Sequence, residues 1–178
     1  MLPSHLERGF PKLRADGGKK TSEATNECNC VGWSASRTRS KWFEPQPTQP
    51  WEYWPKGIPE DYSLDSFIRV FEIRGYKRCA TLDSSFEFLF KKVAIYAEFG
   101  IYGQPGWEFT HVADQLHSGA WTSKLGKDID IQHNTPQSLE GNYGMEYGKI
   151  IQILKRRCWP WELIARICVR LSKAPHVK

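Results

Sequence analysis

The chain has 178 residues, 40 % of them hydrophobic, with eight Trp, seven Tyr and nine Phe; this is room for one domain with tails, and the aromatic content excludes a disordered chain. Its mean hydropathy is −0.56, and no apolar run approaches the roughly 18 residues of a membrane-spanning helix. The net charge of +5 is mild, and the one basic run, Lys155-Arg156-Arg157, falls short of the patch that marks a nucleic-acid-binding protein.

Residues 1–24 carry Pro3, Pro11, Gly17-Gly18 and Lys19-Lys20 without a period and read as a flexible leader. The opening Met1–Phe10 has no apolar stretch of signal-peptide length, so a cytoplasmic location is expected. Five cysteines (Cys28, Cys30, Cys79, Cys158 and Cys168) are odd in number and scattered, which suits reduced thiols better than a disulfide framework. From Asn29 to Arg37 small and apolar residues stand at helical spacing, with Asn26 or Asn29 available as the cap. Five prolines between Pro45 and Pro59 forbid regular structure while Trp42, Phe43, Trp51, Tyr53 and Trp54 demand burial, so an ordered Trp-rich loop should wrap the core.

Ser63 caps a predicted helix in which Leu64, Phe67, Ile68 and Phe71 form one face and Gly75 ends it. Short strands are expected over Tyr76–Ala80, Lys92–Glu98 and Lys149–Leu154, a hairpin over Thr110–Leu116 and Ala120–Leu125, and a helical turn over Pro136–Leu139. Val93, Ile95, Val112, Leu125, Ile151 and Ile153 are expected to pack as one sheet face against the 64–74 helix. Ile101–Phe109 reads as a long loop that could form a lid or partner surface. After Trp159-Pro160-Trp161, Leu163, Ile164, Ile167 and Leu171 make an apolar stripe beside Arg166, Arg170 and Lys173. This is a basic amphipathic helix, which docks on the core in the plain reading and on a partner groove or membrane surface otherwise.

A cysteine at a helix start followed by a histidine heading a hairpin strand is the order that nucleophilic chemistry needs. The helix N-terminus lowers a thiol pKa, and a nearby imidazole takes the proton. Cys30 fits the first role and His111 the second, and together they would hold a thiolate–imidazolium pair. Inert packing is the competing reading of each residue. Cys28, Cys30 and Cys79 with His111 or His117 lack the paired spacing of structural zinc, and no phosphate-binding glycine motif occurs, so no metal or cofactor is implied.

Asn29-Cys-Val-Gly-Trp33, Tyr53-Trp-Pro-Lys-Gly57, Lys92-Val-Ala-Ile-Tyr96, Thr110-His-Val-Ala113, Trp121-Thr-Ser-Lys-Leu-Gly126, Ile131-Gln-His133 and Leu139-Glu-Gly-Asn-Tyr-Gly144 resemble a bacterial domain family of uncharacterised function over about residues 28–155. In element order that family is similar to papain-like cysteine peptidases and amidases. The resemblance implies an α+β, papain-like fold, expected over residues 25–157, with an N-terminal helix carrying the cysteine packed on a mostly antiparallel sheet; residues 158–178 follow it as the C-terminal amphipathic helix read from its apolar stripe. It places Cys30 and His111 as nucleophile and base. His133 is the preferred third catalytic group, Ser123 and Asp128 being the other groups within reach. Asn29, Trp33, Gln115, Ser123 and Lys124 are candidate substrate contacts. Two readings follow: a cysteine hydrolase or acyltransferase acting on an amide or ester of a protein or peptide-like substrate, and a non-catalytic module of the same fold that binds a protein partner through the Trp-rich loop or tail helix, as a phage, toxin or defence-system component would.

Overall fold

The computed structural model describes residues 2–35, 41–101, 105–142, 144 and 146–172. Its class is α+β. Among the described residues there are nine strands: β1 (Lys19–Lys20), β2 (Trp42–Phe43), β3 (Glu52–Tyr53), β4 (Lys77–Arg78), β5 (Phe90–Phe99), β6 (Trp107–Gln115), β7 (Trp121–Lys124), β8 (Asp130–His133) and β9 (Lys149–Arg157). Seven of them form one antiparallel sheet in the order β1-β8-β7-β6-β5-β9-β4, while β2 and β3 pair in parallel as a separate clip within the Trp-rich loop. The helices are α1 (Ser4–Gly9), α2 (Pro11–Ala15), α3 (Cys30–Ala35), α4 (Leu64–Glu72) and α5 (Pro160–Ser172).

Side chains alternate across a strand, so the sheet has two faces and each needs a cover. On one face Val93, Ile95, Val112 and Leu154 meet Cys30 and Val31 of α3, Phe67, Ile68 and Phe71 of α4, and Phe43 and Trp54 of the Trp-rich loop. On the other, Ala94, Tyr96, Ala113, Trp121, Ile131 and Ile153 meet Leu2, Leu6, Phe10 and Leu13. Residues 2–20 of the expected leader are therefore not detached from the sheet. Leu13 is fully buried and α1 and α2 seal the second face.

The expected single face also divides. Val93, Ile95 and Val112 pack with α4 as predicted, but Leu125 and Ile153 lie on the opposite side. Ile151 falls at an irregularity, where Ile95 pairs with Gln152 and Tyr96 with Ile150. A matching irregularity on β6 pairs Tyr96 with His111 and Ala97 with Phe109, leaving Thr110 as the extra residue. Such a bulge breaks the two-residue period. As a result Phe109 stacks on Phe67 of α4 at 3.8 Å, while His111 looks the other way.

Most other elements match expectation. Ser63 caps α4 by accepting the Ser66 backbone N–H, and Pro136–Leu139 is a 3-10 turn. The expected long loop from Ile101 to Phe109 is much shorter, because Trp107, Glu108 and Phe109 belong to β6; Tyr102, Gly103 and Gln104 lie outside the described residues, as do Ser36, Arg37 and Lys173 of the predicted helix ends.

Candidate functional site

Asn29 begins α3 as its cap. Its Oδ1 accepts the Gly32 N–H at 3.0 Å and the Phe43 N–H at 3.3 Å, and its Nδ2 donates to the Phe43 carbonyl at 2.7 Å. One side chain thus starts the helix and ties it to the Trp-rich loop, a structural duty that uses both polar ends of the residue predicted to touch substrate. Gly32 permits this approach: a Cβ there would stand 1.8 Å from the Lys41 carbonyl oxygen. Its low helix propensity is offset by a contact that no other residue type allows.

Cys30 does head α3, but the thiol points into the apolar layer between α3 and β6. Burial pushes its pKa up to about 12, outweighing the backbone groups of Val112, Val31 and Cys30 that favour the thiolate. The expected depression of this pKa is reversed, because desolvation disfavours the charged form more than a two-turn helix favours it.

His111 lies across the sheet from it. Val112 faces Cys30, and His111, one residue earlier, faces Tyr96 and stacks on the Tyr147 ring at 3.9 Å and 8°. Its side chain is fully buried, and neither ring nitrogen has a hydrogen-bond partner among the described residues. Burial, and then the neighbouring His133, hold its pKa well below the usual imidazole value. The structure therefore does not bring Cys30 and His111 together: strand parity separates them by the thickness of the sheet.

His133 shares the His111 face. Its Nε2 meets Ser123 Oγ at 3.0 Å, and its Nδ1 meets the Thr135 carbonyl at 2.7 Å and Ser138 Oγ at 3.1 Å. With Nδ1–H donating to the carbonyl, Nε2 accepts from Ser123, so both sides of the ring are satisfied. Ser123 and His133 are wholly buried beneath Trp121 and Ile131, which makes this a core polar network. Gln115 donates to the Ser84 carbonyl at 3.1 Å. Lys124 is buried against the Asp128 carbonyl and lies 3.8 Å from Asp130. Asp128, the other acid considered for orienting His111, instead meets His5 of α1 at 3.0 Å. Trp33 lines an open cavity. Among the described residues no three His, Cys, Asp or Glu side chains are grouped to hold a metal ion.

Comparison with known families matches the family described as "Domain of unknown function (DUF7689)" over residues 19–155. The chain belongs to this family. No curated protein and no solved structure matches it. The DUF7689 stretch contains the whole sheet except the last two residues of β9, while α1, α2 and α5 lie outside it.

Helix α5 docks on the DUF7689 domain in an unexpected orientation. Arg166, only 1 % exposed, donates through Nη1 to the carbonyls of Glu87 at 2.6 Å and Phe88 at 2.9 Å, with its guanidinium over the Phe86 ring. Glu162 receives both terminal nitrogens of Arg156 at 2.7 Å. Glu162 and Arg166 are thus turned inward, while Arg170 is exposed. Trp161 (48 % exposed), Ile164 (62 %), Ile167 (47 %) and Leu171 (68 %) face out. Sequence reasoning identified the stripe and assigned it to the core, since nothing in the periodicity tells which side of an amphipathic helix meets the rest of the chain.

Proposed function

We propose that this chain is a non-catalytic protein-binding module whose contact surface is the outward apolar face of α5. The observation that carries this reading is the inverted docking of the helix. Desolvating a guanidinium is costly, yet Arg166 is buried with Nη1 on the Glu87 and Phe88 carbonyls and its Nε and Nη2 without a hydrogen-bond partner among the described residues, while four large apolar side chains remain about half exposed. Fully burying an exposed aliphatic side chain releases roughly 1.5–3 kcal/mol, and covering the half of each that remains exposed releases about half of that. Trp161, Ile164, Cys168 and Leu171 follow the spacing with which a helix fills a groove on a partner. Arg157 and Arg170 are the exposed charges at the two ends of this surface, and the only acid of α5, Glu162, is buried and paired. The partner is accordingly a protein with an apolar groove and an acidic rim. A lipid surface is the weaker fit, because two flanking cations bring only about 1 kcal/mol each at an anionic bilayer.

A papain-like cysteine hydrolase would need a second arrangement in which Cys30 and His111 share one side of the sheet and the thiol is ionisable near neutral pH. The element order favours that reading. The sheet between the two side chains and the raised thiol pKa oppose it.

Cys168, exposed on the α5 face, supplies the test. Iodoacetamide at pH 7 is expected to label Cys168 first and to leave Cys30 protected until the protein unfolds; Cys30 labelling fastest would restore the hydrolase reading. A photoactivatable cross-linker on Cys168, with Cys79 and Cys158 changed to Ser, is expected to yield one protein adduct in an extract of the native host. That protein, once purified, should slow Cys168 alkylation and lose affinity at least tenfold on Ile164→Glu with the fold intact. No adduct, an adduct indifferent to Ile164→Glu, or capture of the protein by phosphatidylserine vesicles instead would overturn the proposal.

A further inference from the structure

A cavity of about 480 Å³ opens between the end of α3, the end of α4 and the start of α5, a size typical of small-molecule sites. Its two ends differ in chemistry. At the α5 end the charges cancel: Arg156 is held by Glu162, and Lys91 meets Asp114 at 3.0 Å. The walls there are Trp159 and Trp161, whose rings lie parallel at 5.6 Å and 9°.

The α3 end is cationic. Arg74 uses Nε and Nη1 on the carbonyls of Ala35 and Val70, and Lys41 lies over the Tyr53 ring at 4.0 Å. Neither has a carboxylate partner among the described residues. Ser34 and Trp33 line the same cavity. Ser34 is 6 % exposed and its hydroxyl is buried with no hydrogen-bond partner among the described residues. A buried hydroxyl left without a partner costs about 1–3 kcal/mol, and the half-buried Arg74 guanidinium, which faces the Tyr53 hydroxyl and the Phe43 ring, has no carboxylate among the described residues to balance its charge. An anion would relieve both. Guanidinium, ammonium and hydroxyl groups that line one end of a cavity suit phosphate or carboxylate oxygens, and the tryptophan walls suit a flat ring.

We infer that this cavity binds a small ligand in which a planar aromatic ring carries a phosphate or carboxylate group, the anion held by Arg74, Lys41 and Ser34 and the ring by the tryptophans. The site is independent of α5 docking to a protein, although Trp161 borders both surfaces.

Calorimetric titration of the full chain with adenosine monophosphate, indole-3-acetate, adenosine and inorganic phosphate tests it. At least one of the two ring-bearing anions is expected to bind below about 1 mM and at least tenfold tighter than adenosine or phosphate, a factor worth about 1.4 kcal/mol. Their relative affinities assign phosphate or carboxylate. Lys41 is exposed, so Lys41→Glu should fold normally and weaken binding at least tenfold; Ser34→Ala should weaken it less, and Ile164→Glu should leave it unchanged. Phosphate binding as tightly as the ring-bearing anions, adenosine binding equally well, or no binding by either ring-bearing anion at 1 mM would each overturn the inference.

Discussion

An imidazole sealed between Tyr96 and Tyr147, with both nitrogens lacking hydrogen bonds among the described residues, is a packing group that happens to be titratable. His111→Phe keeps the flat ring and removes two buried polar atoms, so stability at pH 7.5 should be unchanged or rise by about 1 kcal/mol. The pH dependence follows from the direction of the shift. The folded pKa of His111 lies below the unfolded value of about 6.5, so on acidification the unfolded chain takes up a proton that the folded one refuses. Stability is therefore complete above about pH 6.5 and falls below it, by up to about 1.4 kcal/mol per pH unit for each such group. His133 and His117 are shifted the same way by burial. Urea titrations between pH 7.5 and 5 should show His111→Phe with the shallower acid slope; equal slopes would mean that His111 is accessible in the folded state. At this scale the sequence made the helix-start cysteine and the strand histidine visible. It could not reveal that they point apart, because Thr110-His111-Val112 alternates in any strand and only the tertiary fold decides which alternate faces α3.

Among the elements, the N-terminal helices were the ones hidden by their own punctuation. Leu2, Leu6, Phe10 and Leu13 are spaced four, four and three residues apart, a helical stripe visible in retrospect. Pro3, Pro11 and Gly17-Gly18 masked it, yet Pro11 sits at the first position of α2, where a proline is at home. Leu13→Ala should accordingly cost about 2–5 kcal/mol in a urea denaturation measurement; no loss would mean that α2 is detached in solution. The short β8 escaped for another reason. Asp130, Gln132 and His133 are weak strand formers, and Ile131 alone does not make a period. Helix α4, with a serine cap and four regularly spaced apolar residues, was legible because its local and tertiary preferences agree.

Across the whole molecule, stability should be graded from the middle of the sheet outward. β5 is hydrogen-bonded on both sides, to β6 and to β9, and Val93 to Ala97 are fully buried, whereas β1 and β4 are two-residue edges. Native-state hydrogen exchange is expected to open β1 and β4 at low free energy and the amides of Val93–Ala97 only with global unfolding. Exchange from β5 as early as from β4 would show that the sheet is not one cooperative unit. The α+β class and most of the central strands were readable from β-branched runs between turns. The sheet order was not, because β5 pairs with β9 across more than fifty intervening residues and no local signal encodes so distant a partner.

That distant pairing has a consequence for how the chain is made. During synthesis β5 and β6 emerge together, but the other edge of β5 stays open until Lys149–Arg157 has been translated. In that interval Val93-Ala-Ile-Tyr-Ala97 is an uncharged, β-prone segment with an unsatisfied edge, the kind that recruits other nascent chains. Lys91 and Lys92 on one side and Glu98 on the other bracket it with charge, as gatekeeper residues do. Their service is greatest before the native state exists, when the last strand has yet to leave the ribosome.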